Sequence, residues 1–393
     1  MSIARGPLIG LLLLNALLTI LTLGIYRFWA RTRVRQRLWS SVSLRGDAFT
    51  YTGTGKELFI GFLVALVVLL PFGLLVALIT SLIPPADFGK QLLMQAVLGL
   101  GAGLLGLTAL YFARRYLLTR TCWRGIHGGQ DRGLGRYMLV HLKAYLPVLL
   151  TLGLIQPWAD ARTYNYRTGI TWFGTGRFGA TATASGLWKI YLPGWLLFAA
   201  GYATFFAAFW PLMEWSAAAQ AAQAAGQPPA SPPPPFAPAP WIASVLLILL
   251  GSACFFLYAV RRSLAFLGAT HLGTMRFDLP LRTRQMLYIP LIGTLIYVGM
   301  LTLTGLAGAG YVGAVGPKSL ALAWLPFLLL IVILSLNSLV SVAWTQVEVL
   351  RLIGRHLRLR DMDVLDDLLN RGQPAPSRGE GLADAIGDIG IGA

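Results

Sequence analysis

Charge is scarce in this 393-residue sequence: Asp, Glu, Lys and Arg make up 12% of it, about half of what a soluble domain carries. That shortage excludes a set of water-soluble domains, the ordinary outcome for a chain of this length. Cysteine is nearly absent too. Cys122 and Cys254 are the only two, which excludes a disulfide framework or a cysteine-rich zinc site. The four histidines, His127, His141, His271 and His356, have no neighbour at ligand spacing, so the paired-histidine signature of a zinc hydrolase is missing. No nucleophile elbow or phosphate-binding P-loop occurs, and Gly128 to Gly135, although glycine-dense, reads as a flexible turn. The residues therefore point away from an enzyme and call for no metal or cofactor. Acidic residues are scarcest of all, 15 against 32 basic ones, for a net charge of +17. The basic residues lie between apolar blocks and not on one soluble module, which argues against nucleic acid as the partner.

What is abundant is apolar length. Hydrophobic residues make up 56% of the chain and mean hydropathy is +0.66. Hydrocarbon about 30 Å thick needs roughly 20 apolar helical residues to cross. Eight stretches approach that: 7–26, 58–83, 92–113, 137–157, 187–213, 241–260, 285–310 and 320–347. The expected fold class is an all-α polytopic membrane protein with six to eight transmembrane helices. Trp29, Trp158, Trp188, Trp215, Trp241 and Trp344 fall near segment ends, where an indole keeps its N–H among headgroups.

Lys and Arg mark the cytoplasmic side. Residues 27–57 carry seven, 114–136 six, 158–186 three, 261–284 five and 350–393 six, whereas 84–91 and 311–319 carry one each and 214–240 none. If all eight stretches crossed, 27–57 would face 261–284 across the bilayer, against that rule. The conflict disappears if 137–157 enters and leaves on one face. His141 and Lys143 are costly at the bilayer centre, and Pro147 is expected to break the helix there.

A repeat supports the same topology. A shift of 129 positions lays Thr22-Leu23-Gly24 on Thr151-Leu152-Gly153, Trp29-Ala30 on Trp158-Ala159, Arg33 on Arg162 and Phe49 on Phe178, with 9 identities in 33 ungapped positions. Repetition at a fixed spacing marks a duplicated unit. The expected organisation is a membrane repeat over 1–136, a second over 137–284 with an Ala/Pro-rich insertion at 216–240, a C-terminal helix pair over 285–349, and a partly disordered cytoplasmic tail over 350–393. Six crossings with both termini cytoplasmic follow; a seven-crossing arrangement, in which only the first stretch spans, is the alternative. The insertion, ending in Pro232-Pro233-Pro234-Pro235, reads as a polyproline spacer on the outer side.

The basic connections have the alternation and turn residues of short cytoplasmic β-hairpins. Ser41–Leu44, Arg45-Gly46-Asp47 and Ala48–Thr52 read as strand, turn and strand, with related patterns at 171–178 and 270–277 and a weaker one at 120–125. Isolated hairpins are marginal in water, so these are expected to pair into a small sheet. In the row Arg31, Arg33, Arg35 and Arg37 every second residue is basic, which on a strand makes one basic face and on a helix wraps around. With Trp29, Trp158 and Arg162, these arginines are the candidate contacts for anionic lipid headgroups on the cytoplasmic side or for an envelope protein partner. His141 and Lys143 form the candidate intramembrane polar site. Asn15, Asn337 and the run Gly99, Gly101, Gly103 and Gly106 are candidate helix-packing positions. Residues 351–370 read as amphipathic, with Asp361, Asp363, Asp366 and Asp367 suited to meet the basic hairpins, while Leu382, Ile386, Ile389 and Ile391 offer a docking stripe in the low-complexity tail.

The runs Leu21-Thr22-Leu23-Gly24-Ile25-Tyr26-Arg27-Phe28-Trp29-Ala30-Arg31-Thr32-Arg33 and Phe49-Thr50-Tyr51-Thr52-Gly53-Thr54-Gly55-Lys56-Glu57-Leu58 resemble the YjgN family of bacterial inner-membrane proteins. The weaker copy around Trp158 extends the likeness over most of the chain, leaving out 216–240 and the tail after Arg371. The resemblance implies a multi-pass helical protein of the bacterial inner (cytoplasmic) membrane with an uncharacterised activity and no catalytic residues to carry over. A scaffold or adaptor with a basic hairpin layer is the expected role, and a transporter with a pathway between the repeats is the alternative.

Overall fold

The computed structural model describes residues 5–82, 88–226, 237–315 and 341–370, and the isolated positions 231, 232, 234, 332, 333 and 335. Asn337, most of 320–340, part of Pro232–Pro235 and the tail stripe from Leu382 to Ile391 lie outside the described residues. Two compact units form: one from Met1–His141, Asn165–Ala180 and Gly268–Ala393, the other from Leu142–Tyr164 and Thr181–Leu267.

Helices α1 (Arg5–Leu21) and α2 (Arg27–Ser40) open the first unit. A five-residue turn joins them, with Leu23 and Gly24 at φ +50° and +93° and the Gly24 amide on the Thr19 carbonyl at 2.7 Å. Asn15, predicted to make a helix contact, donates from Nδ2 to the Ala30 carbonyl at 3.4 Å across this pair. Leu8 and Leu12 of α1 and Val34 and Leu38 of α2 form a core with Val342 and Val347 near the C-terminus. Next come strands β1 (Ser43–Leu44), β2 (Asp47–Ala48) and β3 (Thr50–Tyr51), then α3 (Gly55–Ser81) and α4 (Phe88–Thr119). The pair β4 (Thr121–Trp123) and β5 (Ile126–Gln130) leads into α5 (Leu134–Leu150) and α6 (Gln156–Gly169), which are followed by β6 (Thr171–Phe173) and β7 (Gly176–Ala180). The second unit adds α7 (Trp188–Ala224) and α8 (Pro238–Gly268). Strands β8 (Thr270–Leu272) and β9 (Met275–Asp278), helix α9 (Thr283–Val315), a π-helical turn at Ser341–Gln346, α10 (Val347–His356), β10 (Arg358–Arg360) and a 3-10 turn at Met362–Leu365 complete the order.

The chain is mostly helical, and among the described residues α3, α4, α7 and α8 are long and apolar enough to cross a membrane. The expected hairpins are present at all four sites. Eight strands join into one antiparallel sheet in the order β10-β9-β8-β7-β6-β5-β4-β3, while β1 and β2 pair separately. The two-residue turns suit strand twist: Arg45-Gly46 and Arg124-Gly125 have positive φ at both positions, and Gly174 and Gly273 at the first, the geometries that favour tight hairpins. Trp123, Ile126, Leu272 and Met275 of the sheet bury themselves under Leu365 and Leu368, with Phe49, Phe173, Phe178 and Phe277 packed at the margin.

Several expectations are narrowed or corrected. Of the two arrangements open to the arginine row, the helical one is found: it lies on α2 and wraps around it. Gly128, Gly129 and Gln130 are the end of strand β5, not part of a flexible turn. Pro147 does not break α5 midway; it falls in the last turn before the helix stops at Leu150. Residues 217–224 of the insertion continue α7, because an Ala/Gln run favours helix. Residues 351–370 are not one amphipathic helix but the end of α10, a strand and a 3-10 turn. A Cβ added at Gly99, Gly103 or Gly106 would meet nothing within 4 Å among the described residues, so these glycines bring no described backbone close. That role belongs to Gly194 and Gly251 on α7 and α8, where a Cβ at Gly251 would lie 3.0 Å from the Gly194 carbonyl oxygen.

Candidate functional site

The predicted contact residues separate according to helix geometry. On α2, Arg33 and Arg37 are exposed and Arg31 is half-buried, whereas Arg35 is buried. Arg35 turns inward and donates from a terminal nitrogen to Tyr51 Oη at 3.3 Å. Arg33 donates to the Tyr26 hydroxyl with its guanidinium 5.5 Å from that ring. Arg162, 129 positions later on α6, holds its guanidinium 5.2 Å from the ring of Trp158. Cation–π pairing of this kind holds a guanidinium against an aromatic face. Trp29 is half-buried against Phe59 at a ring distance of 5.6 Å.

The turn that follows α5 has the bonds of the turn that follows α1. Thr151 Oγ1 donates to the Pro147 carbonyl at 2.8 Å and Thr22 Oγ1 to Leu18 at 2.7 Å. Gly153 N reaches Val148 O at the same 2.7 Å as Gly24 N reaches Thr19 O, and Leu152 has the φ of Leu23, +50°. Both tips are apolar and open, with Leu23 62% and Leu152 82% exposed. The second is capped from outside: Tyr191 Oη donates to Gly153 O at 2.6 Å and Trp195 Nε1 to Leu152 O at 2.9 Å.

His141 and Lys143 are not brought together. Two residues apart on α5, they point to different sides, so His141 is buried and Lys143 exposed. The His141 ring lies 4.0 Å from that of Tyr137, and its Nδ1 is 2.8 Å from the Tyr137 carbonyl. Burial, with Arg167 nearby, holds its imidazole below the usual range, although the Tyr137 carbonyl favours the charged form.

Two carboxylate centres escaped the sequence reading. In the second unit Asp160 is 6% exposed. One of its oxygens accepts from Tyr145 Oη at 3.2 Å and Gln156 Nε2 at 2.8 Å, the other from Tyr258 Oη at 2.7 Å and an Arg262 terminal nitrogen at 2.5 Å. In the first unit Glu57 accepts from Tyr116 Oη at 2.8 Å and Arg120 Nη2 at 2.6 Å while closing a capping box with Thr54 at the start of α3. Each centre takes a tyrosine and an arginine four residues apart, Tyr116 with Arg120 and Tyr258 with Arg262, from the end of a long apolar helix. A buried carboxylate is tolerable only when its lone pairs are filled in this way. The signal available in the sequence was the Tyr-x-x-x-Arg spacing at two helix ends.

The hairpin charges are largely matched. Arg45 meets Asp366 at 2.5 Å and Asp363 at 3.9 Å, as expected for the acidic cluster. Arg177 meets Asp131 at 3.0 Å, Arg360 meets Asp278 at 2.9 Å, and Arg124 pairs with Asp47. Among the described residues no group of three or more His, Cys, Asp or Glu is placed to hold a metal ion.

Comparison with known proteins gives a family and little more. Residues 4–385 match the family model described as bacterial protein of unknown function (DUF898). A stretch of 63 residues is 36% identical to inner membrane protein YjgN of Salmonella typhimurium, covering 16% of this chain and 16% of that protein. No solved structure matches the chain.

Proposed function

The chain belongs to the DUF898 family and is a multi-pass protein of the bacterial inner membrane; on that premise we propose that it is a non-enzymatic membrane scaffold. On this reading it presents a cytoplasmic sheet and two half-inserted helical hairpins to anionic headgroups. The observation that carries the reading is the eight-stranded sheet. Strands bonded into one ladder lie on one side of a bilayer, so every stretch between successive strands crosses an even number of times. The stretches α3–α4 and α7–α8 each make a return trip. For α5–α6 the even number is zero: α5 has 17 residues, α6 is polar, and the turn between them carries the open apolar tip. By the same bonding pattern α1–α2 is a second hairpin that dips and returns, and the matched bonds of the two turns support a duplicated unit. The apolar lengths of 285–310 and 320–347 in the sequence allow a third return trip, for six crossings on this reading. The basic connections then share one face, as positive charge requires.

Arg33, Arg37 and Arg162 are the residues placed to meet headgroups, each contributing about 1 kcal/mol near an anionic surface. Quenching of tryptophan fluorescence by brominated lipids in reconstituted vesicles tests this. Brominated phosphatidylglycerol is expected to quench Trp158 more than brominated phosphatidylcholine does, and the triple variant Arg33→Gln, Arg37→Gln, Arg162→Gln to erase the difference. Equal quenching by both lipids in the unaltered protein, or passage of small solutes through the vesicles, would turn the reading toward transport.

A further inference from the structure

One buried side chain in the first unit has hydrogen-bonding capacity that no described residue uses. Gln130, the last residue of β5, is 3% exposed, and neither its amide oxygen nor its amide nitrogen has a partner among the described residues. Its direction follows from its neighbours. A Cβ at Gly128, on the same face of β5, would lie 3.0 Å from the Leu118 carbonyl oxygen of α4. Two residues on, Gln130 faces α4 one turn earlier, at Arg114. The cross-strand neighbour of Gln130 is Thr171, whose hydroxyl accepts from Arg114 Nη2 at 3.0 Å and donates to the Arg167 carbonyl at 2.7 Å. Facing pairs on one side of a sheet lie about 5 Å apart at Cβ, so the amide, the hydroxyl and the Arg114 guanidinium converge. Arg167, whose carbonyl accepts from the Thr171 hydroxyl, joins the cluster through its backbone, and its buried Nε has no partner among the described residues. The nearby carboxylate, Asp131, is committed to Arg177.

We infer that Gln130, Arg114, Thr171 and Arg167 form a site for a phosphate group that carries a neighbouring hydroxyl, the chemistry of a phosphoglycerol headgroup. Phosphate oxygens accept from the guanidinium and from the amide N–H, and a hydroxyl supplies the donor that the amide oxygen lacks. Arg114 lies near the end of α4, a helix long and apolar enough to cross the membrane, at a depth where basic side chains meet headgroups. The inference rests on the membrane reading above but uses none of Arg33, Arg37 or Arg162.

Native mass spectrometry of the purified full-length protein in nonionic detergent tests it, with phosphatidylglycerol, phosphatidylcholine and glycerol phosphate as probes. Phosphatidylglycerol is expected to stay bound and phosphatidylcholine to be lost. Gln130→Leu is expected to weaken phosphatidylglycerol binding at least tenfold while its lipid-free melting midpoint stays level or rises, because an unpartnered amide has been replaced by an apolar group. Gln130→Met takes its place should the leucine variant not fold. Binding of glycerol phosphate as tight as that of the lipid supports the site and assigns it to a soluble phosphate. Equal retention of both lipids, no retention of phosphatidylglycerol, or unaltered affinity in folded Gln130→Leu overturns the inference. The triple arginine variant is expected to keep this lipid, which separates failure here from failure of the surface reading.

Discussion

Asp160 shows what a single residue can hold together. With four donors on two oxygens, it ties α6 to α8, and replacing it by alanine leaves Tyr258 and Arg262 without their acceptor. Breaking a buried pair costs roughly 3–5 kcal/mol. Since the Arg262 side chain is 34% exposed, Asp160→Ala is expected at the low end, about 3 kcal/mol, read as a lowered melting midpoint in detergent. Glu57→Gln, at a more exposed carboxylate, is expected to cost about 1 kcal/mol. His141 gives a pH signature. Its folded-state affinity for protons is depressed by burial, so the unfolded chain binds the proton first as pH falls. Stability from the neutral ring is therefore complete above about pH 6.5 and lost below it. Between pH 7.5 and 5.5 the melting midpoint of His141→Phe is expected to fall less than that of the unaltered protein; equal slopes would assign the pH effect elsewhere. His141 stands out in the sequence as a polar residue in an apolar stretch, whereas Asp160 is marked only indirectly, by the Tyr-x-x-x-Arg spacing of its partners. Asp160 sits opposite Arg31 in the 129-residue register, so comparing the two stretches does not single it out, and Tyr258 and Arg262 lie about a hundred residues away.

At the scale of elements, helix and strand periods explain what was readable. The recurring phenylalanines Phe49, Phe178 and Phe277 marked true hairpins because a two-residue turn and a pleat fix their spacing, and all three flank the same core. The arginine row left strand and helix open because every second residue is basic in either; Val34 and Leu38, one helical turn apart and both buried against α1, mark the helix. Glycine spacing misled on α4 for a related reason: small residues permit close approach but do not require it. Gly251→Val is expected to push α7 and α8 apart and lower the melting midpoint by several degrees, since its Cβ meets Phe198 and Gly194 backbone at 3.0 Å, whereas Gly103→Ala should leave it unchanged. Equal effects from the two substitutions would remove the Gly194–Gly251 contact as the packing point.

For the whole molecule, the arrangement rests on one ladder joining connections that are far apart in sequence. Charge counts implied a common face, but the sheet gives the physical reason: hydrogen-bonded strands cannot be divided by hydrocarbon that leaves backbone groups unsatisfied. The order β10 to β3 follows the chain, each strand beside its sequence neighbour, but no local pattern marks that hairpins separated by long helices pair with one another. The most direct measurement is labelling of single cysteines at Ser41, Thr175 and Gln223 with a membrane-impermeant thiol reagent applied to intact and then to opened cells. Gln223 is expected to react in intact cells, and Ser41 and Thr175 only after opening. Reaction of Thr175 from outside while Ser41 stays protected would put the β6–β7 turn and the segment that leads into β3 on opposite faces of the membrane and contradict the topology on which the scaffold reading stands.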